Sequence, residues 1–253
     1  MTLEQFAVTH LIGFFVVFAR LGTAFMFMPG VGEKSVPARI RLVLSLVVCF
    51  ALYSATPAAK GVPTDLPSVV GLLCVEVTIG VWIGMTCRIM MAGLQFAGFQ
   101  IGQVSSLANA FAPNTNEFQG ATLVSSFLMM LGIMLIFVSD AHVLIVEALV
   151  QSYNVMPMGV LFVEDMAMQI AKVLGWSMKM GLVMAAPFFV MGILNNVGLG
   201  LANRMMPTLP VFFVAAPILI VSGIVVLYYH LPTAMDYWLD GFVQWIVHWE
   251  VFE

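Results

Sequence analysis

Four charged residues lie inside strongly apolar stretches of this sequence: Arg20, Glu76, Arg88 and Lys179. A charge in hydrocarbon is costly, so such residues mark a functional interior or a paired contact. Glu76 and Arg88 stand twelve positions apart, about 18 Å along a helix, so they cannot pair within one helix. Glu76, Gly80 and Gly84 recur at i, i+4 and i+8, which sets a carboxylate and a small-residue groove on one helical face. Three uses stay open for that face: close helix packing around one buried hydrogen bond, contact with another subunit, or an ion relay. Arg20 and Lys179 can instead snorkel from the ends of their runs.

Other reactive residue types form no catalytic constellation. The sequence has no HExxH, GxSxG, P-loop or GxGxxG pattern, which points away from an enzyme and from any cofactor. His10, His142, His230 and His248 are scattered. The stretch Ser139-Asp-Ala-His142 could supply half of a triad, but Ser139 or Asp140 as the cap of a helix starting near Ala141 is the simpler reading. Nothing in the sequence pairs a base with Ser105 or Ser106. Cys49, Cys74 and Cys87 lie in apolar runs without CxxC spacing and read as buried, unpaired small hydrophobes rather than metal ligands.

The elements that must position these residues are membrane helices. The 253 residues are 62% hydrophobic and 9% charged, against about 45–50% and about 25% for a soluble domain. The apolar runs do not alternate as barrel strands would, so the fold class expected is an all-α integral membrane protein, a single membrane domain over 1–253. A net charge of −4 gives no footprint for nucleic acid. The start lacks a basic n-region and carries Glu4, so the first run is expected to stay in the mature protein. Spans are expected at 6–28, 40–55, 69–99, 121–138, 173–194 and 211–229. The second is short for the roughly 20 residues a span needs, and the third is too long.

Breakers punctuate these runs at Pro29, Pro37, Pro187, Pro207, Pro210 and Pro217. Each interior proline removes a backbone hydrogen bond, which neighbouring helices must make good. Lys and Arg concentrate in the first and fifth connections, which would place those on the cytoplasmic side and both termini outside. Residues 100–120 are polar yet carry Glu117 as their only charge; connections of this length are often functional. The tail, 231–253, sets Trp238, Trp245 and Trp249 near acidic residues. It reads either as an interfacial amphipathic helix or as a surface for a partner subunit. Twenty methionines suit generic membrane packing, or a compliant seal around a moving polypeptide.

Several awkward stretches together resemble one family, the FliR-type export-gate components of bacterial type III secretion, with a T-type virulence counterpart. The likeness runs from about Arg20 to Tyr229. It is carried by ARLGTAFMFMPGVGEKSVPARIRLVLSL, by EVTIGVWIG, by AGFQIGQVSSLANAFAP, by SYNVMPMG and above all by LGLANRMMPTLPVFFVAAP, which looks flagellar.

The resemblance implies kinked and broken helical hairpins that pack with P-type and Q-type subunits into a conical, helical hetero-oligomer in the inner membrane, much of it on the periplasmic side. B-type and A-type export components and unfolded exported polypeptides would be further partners, with lipid around the assembly. Pro207, Pro210 and Pro217 would be bends between hairpins, with Asn195, Asn196 and Arg204 satisfying backbone or partner groups near the turn. Residues 100–120 would be a plug. Phe111 would be its stopper, within Gly102–Pro113, and Gln100, Gln103 and Asn109 its polar neighbours. Relatives often carry Asp just before that proline, where this chain has Ala112, so any acidic contact there is absent. The implied function is a non-enzymatic gate subunit needed for flagellum assembly. The rivals are a virulence gate subunit, a secondary transporter in which Asn195, Asn196 and Arg204 hold an anionic solute, and a purely structural ring scaffold.

Overall fold

Apolar runs punctuated by proline and glycine fold here as helices, and the described residues contain no strand. The computed structural model describes residues 3–33, 35–60, 62–63, 65–107, 123–205 and 211–247. In chain order the helices are α1 (Leu3–Val17), a π-helical turn (Phe18–Gly22), α2 (Thr23–Phe27), α3 (Ala38–Leu52), two 3₁₀ turns (Tyr53–Ala55 and Pro57–Lys60), α4 (Leu66–Val104), α5 (Leu123–Val138), α6 (Ala141–Val155), α7 (Val163–Met205) and α8 (Val211–Val247). Among the described residues five helices are long and apolar enough to cross a membrane, or up to six if α5 and α6 form one bent span. The chain is thus an all-α membrane protein.

Three helices outrun the expected spans: α4, α7 and α8, the last running on to Val247 where 229 was expected. α4 has 39 residues and α7 has 43, about 58 and 64 Å at 1.5 Å per residue, against a hydrocarbon core of about 30 Å. The run expected to end at 194 continues to Met205, because Asn195, Asn196 and the glycines after them supply no breaker strong enough to stop a helix. Asp65 starts α4 as its cap: its carboxylate accepts the Ser68 N–H at 3.3 Å and the Ser68 hydroxyl. The Ser68 hydroxyl holds the Asp65 carboxyl below its ordinary pKa.

The prolines act in three ways. Pro29 follows extended Met28 and opens a turn closed by Gly32 N–H to Met28 C=O at 2.7 Å, with Gly30 at φ +83°. Pro37 precedes α3 with φ −56° and ψ 139° and so marks a helix start rather than an interior bend. Pro187 lies inside α7, and Pro217 lies inside α8 together with Pro232, which the sequence reading passed over. Pro207 and Pro210 lie outside the described residues. α6 does begin at Ala141, but Asp140 makes no side-chain cap; it takes a left-handed conformation, φ 58°, which lets the chain turn between α5 and α6.

The chain divides into two compact units. The first comprises Met1–Ile89, Ser139–Val173 and Ile246–Glu253; the second comprises Met90–Val138 and Leu174–Trp245. The core of the first is built from Val16, Val17, Leu21, Phe25, Cys49 and Ile79, all buried. Trp82 is anchored there by its indole N–H, which donates to the Met166 carbonyl at 2.9 Å.

The second unit packs by small residues. A Cβ on Gly98 would lie 2.4 Å from the Ser125 Cα, so α4 and α5 approach backbone to backbone there, and one on Gly223 would lie 2.6 Å from the Ser105 Cβ, so α8 lies close against that residue. Trp238 is fully buried, stacked on Phe242 at 5.2 Å, and donates to the Met90 carbonyl at 3.4 Å. Met90, Met91, Met180 and Met184 fill the rest of that interior. Residues 231–247 are the second half of α8, not a separate helix, and Trp238 and Trp245 turn inward rather than forming an aromatic belt; Trp249 lies outside the described residues.

Candidate functional site

The polar centre of the first unit is the pair Arg20–Glu76. α1 passes through a π-helical turn at Phe18–Gly22, and this turn carries Arg20; such insertions re-aim a side chain and recur at functional positions. The Arg20 Nε donates to Glu76 Oε2 at 2.6 Å and Nη2 donates to Oε1 at 3.0 Å, so the guanidinium and carboxylate meet fork to fork. Both side chains are fully buried. Arg20 is therefore paired and does not snorkel. A charge so deeply enclosed is costly unless it is paired and further hydrogen-bonded, and the groups around the pair supply such bonds. Nη1 donates to the Met156 carbonyl at 2.9 Å and to Ser152 Oγ at 3.3 Å. The Gly159 N–H donates to Glu76 Oε1 at 3.1 Å. The guanidinium carbon stands 4.0 Å above the centre of the Tyr153 ring.

This arrangement ties four segments together: the π-turn, α4, the end of α6, and the turn that follows it, where Gly159 has φ +77°. The helix face forecast from spacing also packs here. A Cβ on Gly80 would fall 2.0 Å from Thr23 Oγ1 and 2.2 Å from the Arg20 carbonyl, and one on Gly84 would fall 2.7 Å from the Phe27 Cβ. The two glycines let α4 lie against the π-turn and α2 closely enough for Glu76 to reach Arg20. Sequence reasoning did not assign Ser152, Tyr153, Met156 or Gly159 to this centre, although all four lie in the SYNVMPMG stretch it had singled out.

The other forecast residues are elsewhere. Arg88 is exposed on α4 and donates to the Gly32 carbonyl at 3.5 Å. Lys179 is exposed on α7. Asn195 and Asn196 lie within α7 and not at a turn; Asn195 Nδ2 donates to Ser222 Oγ at 3.2 Å, while Asn196 is exposed. Arg204 is exposed in the last turn of α7, where a cation complements the helix dipole. Gly102, buried, and Gln103, exposed, belong to the last turn of α4, and Ser106 follows at φ 59°. Asn109, Phe111, Ala112 and Pro113 lie outside the described residues. Cys74 is exposed, where a buried thiol was expected, because its position on α4 faces away from the unit's core; Cys49 and Cys87 are buried. Among the described residues no group of His, Cys, Asp and Glu is arranged to hold a metal ion.

The first unit also contains a cavity of about 420 Å³, lined by Trp82, Val155, Met156 and Phe162 and by Asp165, Met168 and Gln169 of α7. The Met156 carbonyl that accepts Arg20 belongs to its wall residue.

Residues 11–245 match the family described as bacterial export proteins, family 1. The flagellar biosynthetic protein FliR of Caulobacter vibrioides is 34% identical over 229 residues, 90% of this chain and 91% of that protein. The FliR proteins of Escherichia coli and Bacillus subtilis are 27% and 26% identical, covering 82% and 85% of this chain and 78% and 84% of their own lengths. A match across nearly the whole length, including every segment around Arg20 and Glu76, leads to one conclusion: the chain belongs to the bacterial export protein family 1, among FliR-type flagellar biosynthetic proteins.

Proposed function

We infer that this chain, a subunit of the flagellar type III export apparatus and an inner-membrane protein, forms part of the wall and closure of the channel through which unfolded flagellar proteins leave the cell. One observation carries the reading: the full-length likeness to FliR proteins, 34% identical across 90% of the chain. In this reading P-type and Q-type gate subunits pack against its exposed apolar helix faces, part of the fold stands on the periplasmic side, and B-type and A-type components dock on the finished gate. Exported polypeptide moves past it, driven by energy supplied elsewhere, and the chain itself carries out no catalytic step.

Its closing element is the segment 100–120, with Phe111 as the stopper. Ser106, in left-handed backbone just after α4 ends at Val104, is the pivot for the part of that segment beyond it. Opening is then a hinge or order–disorder transition, while Arg20–Glu76 holds the frame.

The test is co-expression with the neighbouring inner-membrane export genes, mild-detergent purification and native mass spectrometry. A discrete hetero-oligomer containing this chain is expected, and a version lacking residues 108–118 should then leak ions. A monomer or homodimer that carries a small solute into liposomes would overturn the reading.

A further inference from the structure

The cavity beside α7 has a chemistry that neither the export reading nor the ion pair uses. Its wall sets the aromatic residues Trp82 and Phe162 and the thioethers of Met156 and Met168 around the carboxyl-bearing Asp165 and the amide of Gln169. Aromatic rings and soft sulfur beside a single carboxylate favour a cation bearing methyl or methylene groups, the composition by which alkylammonium groups are recognised. Trp82 is fixed in place by its bond to the Met166 carbonyl. Asp165 sits in the first turn of α7, a helix apolar enough to span a membrane, so the cavity opens at a span end, where lipid headgroups lie.

A cation on the same helix completes the pattern. Lys172 is exposed on α7 seven residues beyond Asp165, about 10 Å along the axis and nearly on the same helical face. Met168 and Phe162, both exposed, give the cavity an apolar rim. From the start of α7 inward the carboxylate of Asp165 comes before the cation of Lys172, the order of ammonium and phosphate in a zwitterionic phospholipid standing in its leaflet.

We propose that this cavity is a binding site for the headgroup of a zwitterionic phospholipid, its ammonium held by Asp165 against Trp82 and Phe162 and its phosphate held by Lys172. The site needs the membrane setting alone and does not depend on the export assembly. Through Met156, whose carbonyl accepts Arg20, a bound headgroup would brace the turn that closes over the ion pair.

The full-length chain, purified in mild detergent, stripped of lipid and titrated by native mass spectrometry, tests this. The probes are phosphatidylethanolamine, phosphatidylcholine and phosphatidylglycerol with matched acyl chains. The wild type should bind one ethanolamine or choline lipid in preference to the glycerol lipid; the better of the two identifies the headgroup. Asp165→Asn should weaken the zwitterionic lipid roughly tenfold, the loss of one charge-assisted contact, with the glycerol lipid unaffected, and Lys172→Ala should weaken all three. Unchanged thermal unfolding of both variants would show that the fold is retained. Equal binding of the glycerol lipid, or undiminished binding by Asp165→Asn, overturns the proposal. So does carbodiimide treatment of native membranes that joins Asp165 to a lysine of another protein instead of to an aminophospholipid.

Discussion

Arg20 and Glu76, 56 positions apart in sequence, share two hydrogen bonds at 2.6 and 3.0 Å with neither side chain reaching solvent. Removing one partner strands the other charge in a low-dielectric interior, which costs about 3–5 kcal/mol. Arg20→Ala or Glu76→Ala should therefore lower thermal stability in detergent steeply and reduce recovery from membranes. Arg20→Lys should fail nearly as badly, because an ammonium cannot make the fork contact while also reaching Ser152 and Met156. The double change Arg20→Met with Glu76→Leu should be more stable than either single variant. If the double variant is instead as unstable as the two singles summed, the pair is not a coupled unit.

Close approach of α4 to the π-turn makes a second, size-dependent prediction. Gly80→Ala puts a methyl within 2.2 Å of the Arg20 carbonyl, so it should cost about 1–3 kcal/mol through backbone displacement. Gly71, on the same helix, has nothing within 4 Å of a Cβ. Gly71→Ala should be neutral or stabilising by up to about 1 kcal/mol, since it removes only glycine's unfolded-state freedom. Thermal unfolding of both variants in one detergent decides this; equal losses would mean that α4 does not press on the π-turn.

In the second unit, Ser105 lies within the segment assigned to closure, just past the end of α4, and Gly223 of α8 lies against it, a Cβ there coming 2.6 Å from the Ser105 Cβ. Gly223→Leu should push the end of α4 off α8 and raise ion leakage through the assembled gate, with little change in subunit incorporation. Gly200→Ala, where nothing lies within 4 Å, is the matched control. A tight gate in the Gly223→Leu variant would separate the α4 end from closure.

Periodicity and charge made the helical class legible, along with the Glu76, Gly80, Gly84 face, since an i, i+4, i+8 series needs only helical geometry. The partner of Glu76 was not legible. Arg20 read equally well as a snorkelling side chain, and only the tertiary fold brings it across 56 residues. Ser152 and Gly159 act through one side-chain oxygen and one backbone N–H, groups that have no period and no charge. Helix ends failed for a related reason: Asn195 and Asn196 look like a stop in isolation, but Ser222 on α8 satisfies Asn195, so tertiary contact overrides their poor helix propensity. The tail tryptophans misled similarly, because amphipathic patterning does not tell a protein interior from a membrane interface.

The bond between Asn195 and Ser222 bears on the choice between a gate and a solute carrier. If Asn195 held an anionic substrate, replacing it would abolish function while leaving stability intact. The observed bond to Ser222 at 3.2 Å instead makes it a link between helices, and such links in membrane proteins average about 0.6 kcal/mol. Asn195→Ala and Ser222→Ala should each cost under about 1 kcal/mol, and the double variant should cost no more than the larger single, because both remove the same bond. All three should still restore swarming to a strain lacking its own copy. Loss of swarming in Asn195→Ala alone, with unfolding and gate assembly unchanged, would return Asn195 to the role of a ligand-binding group.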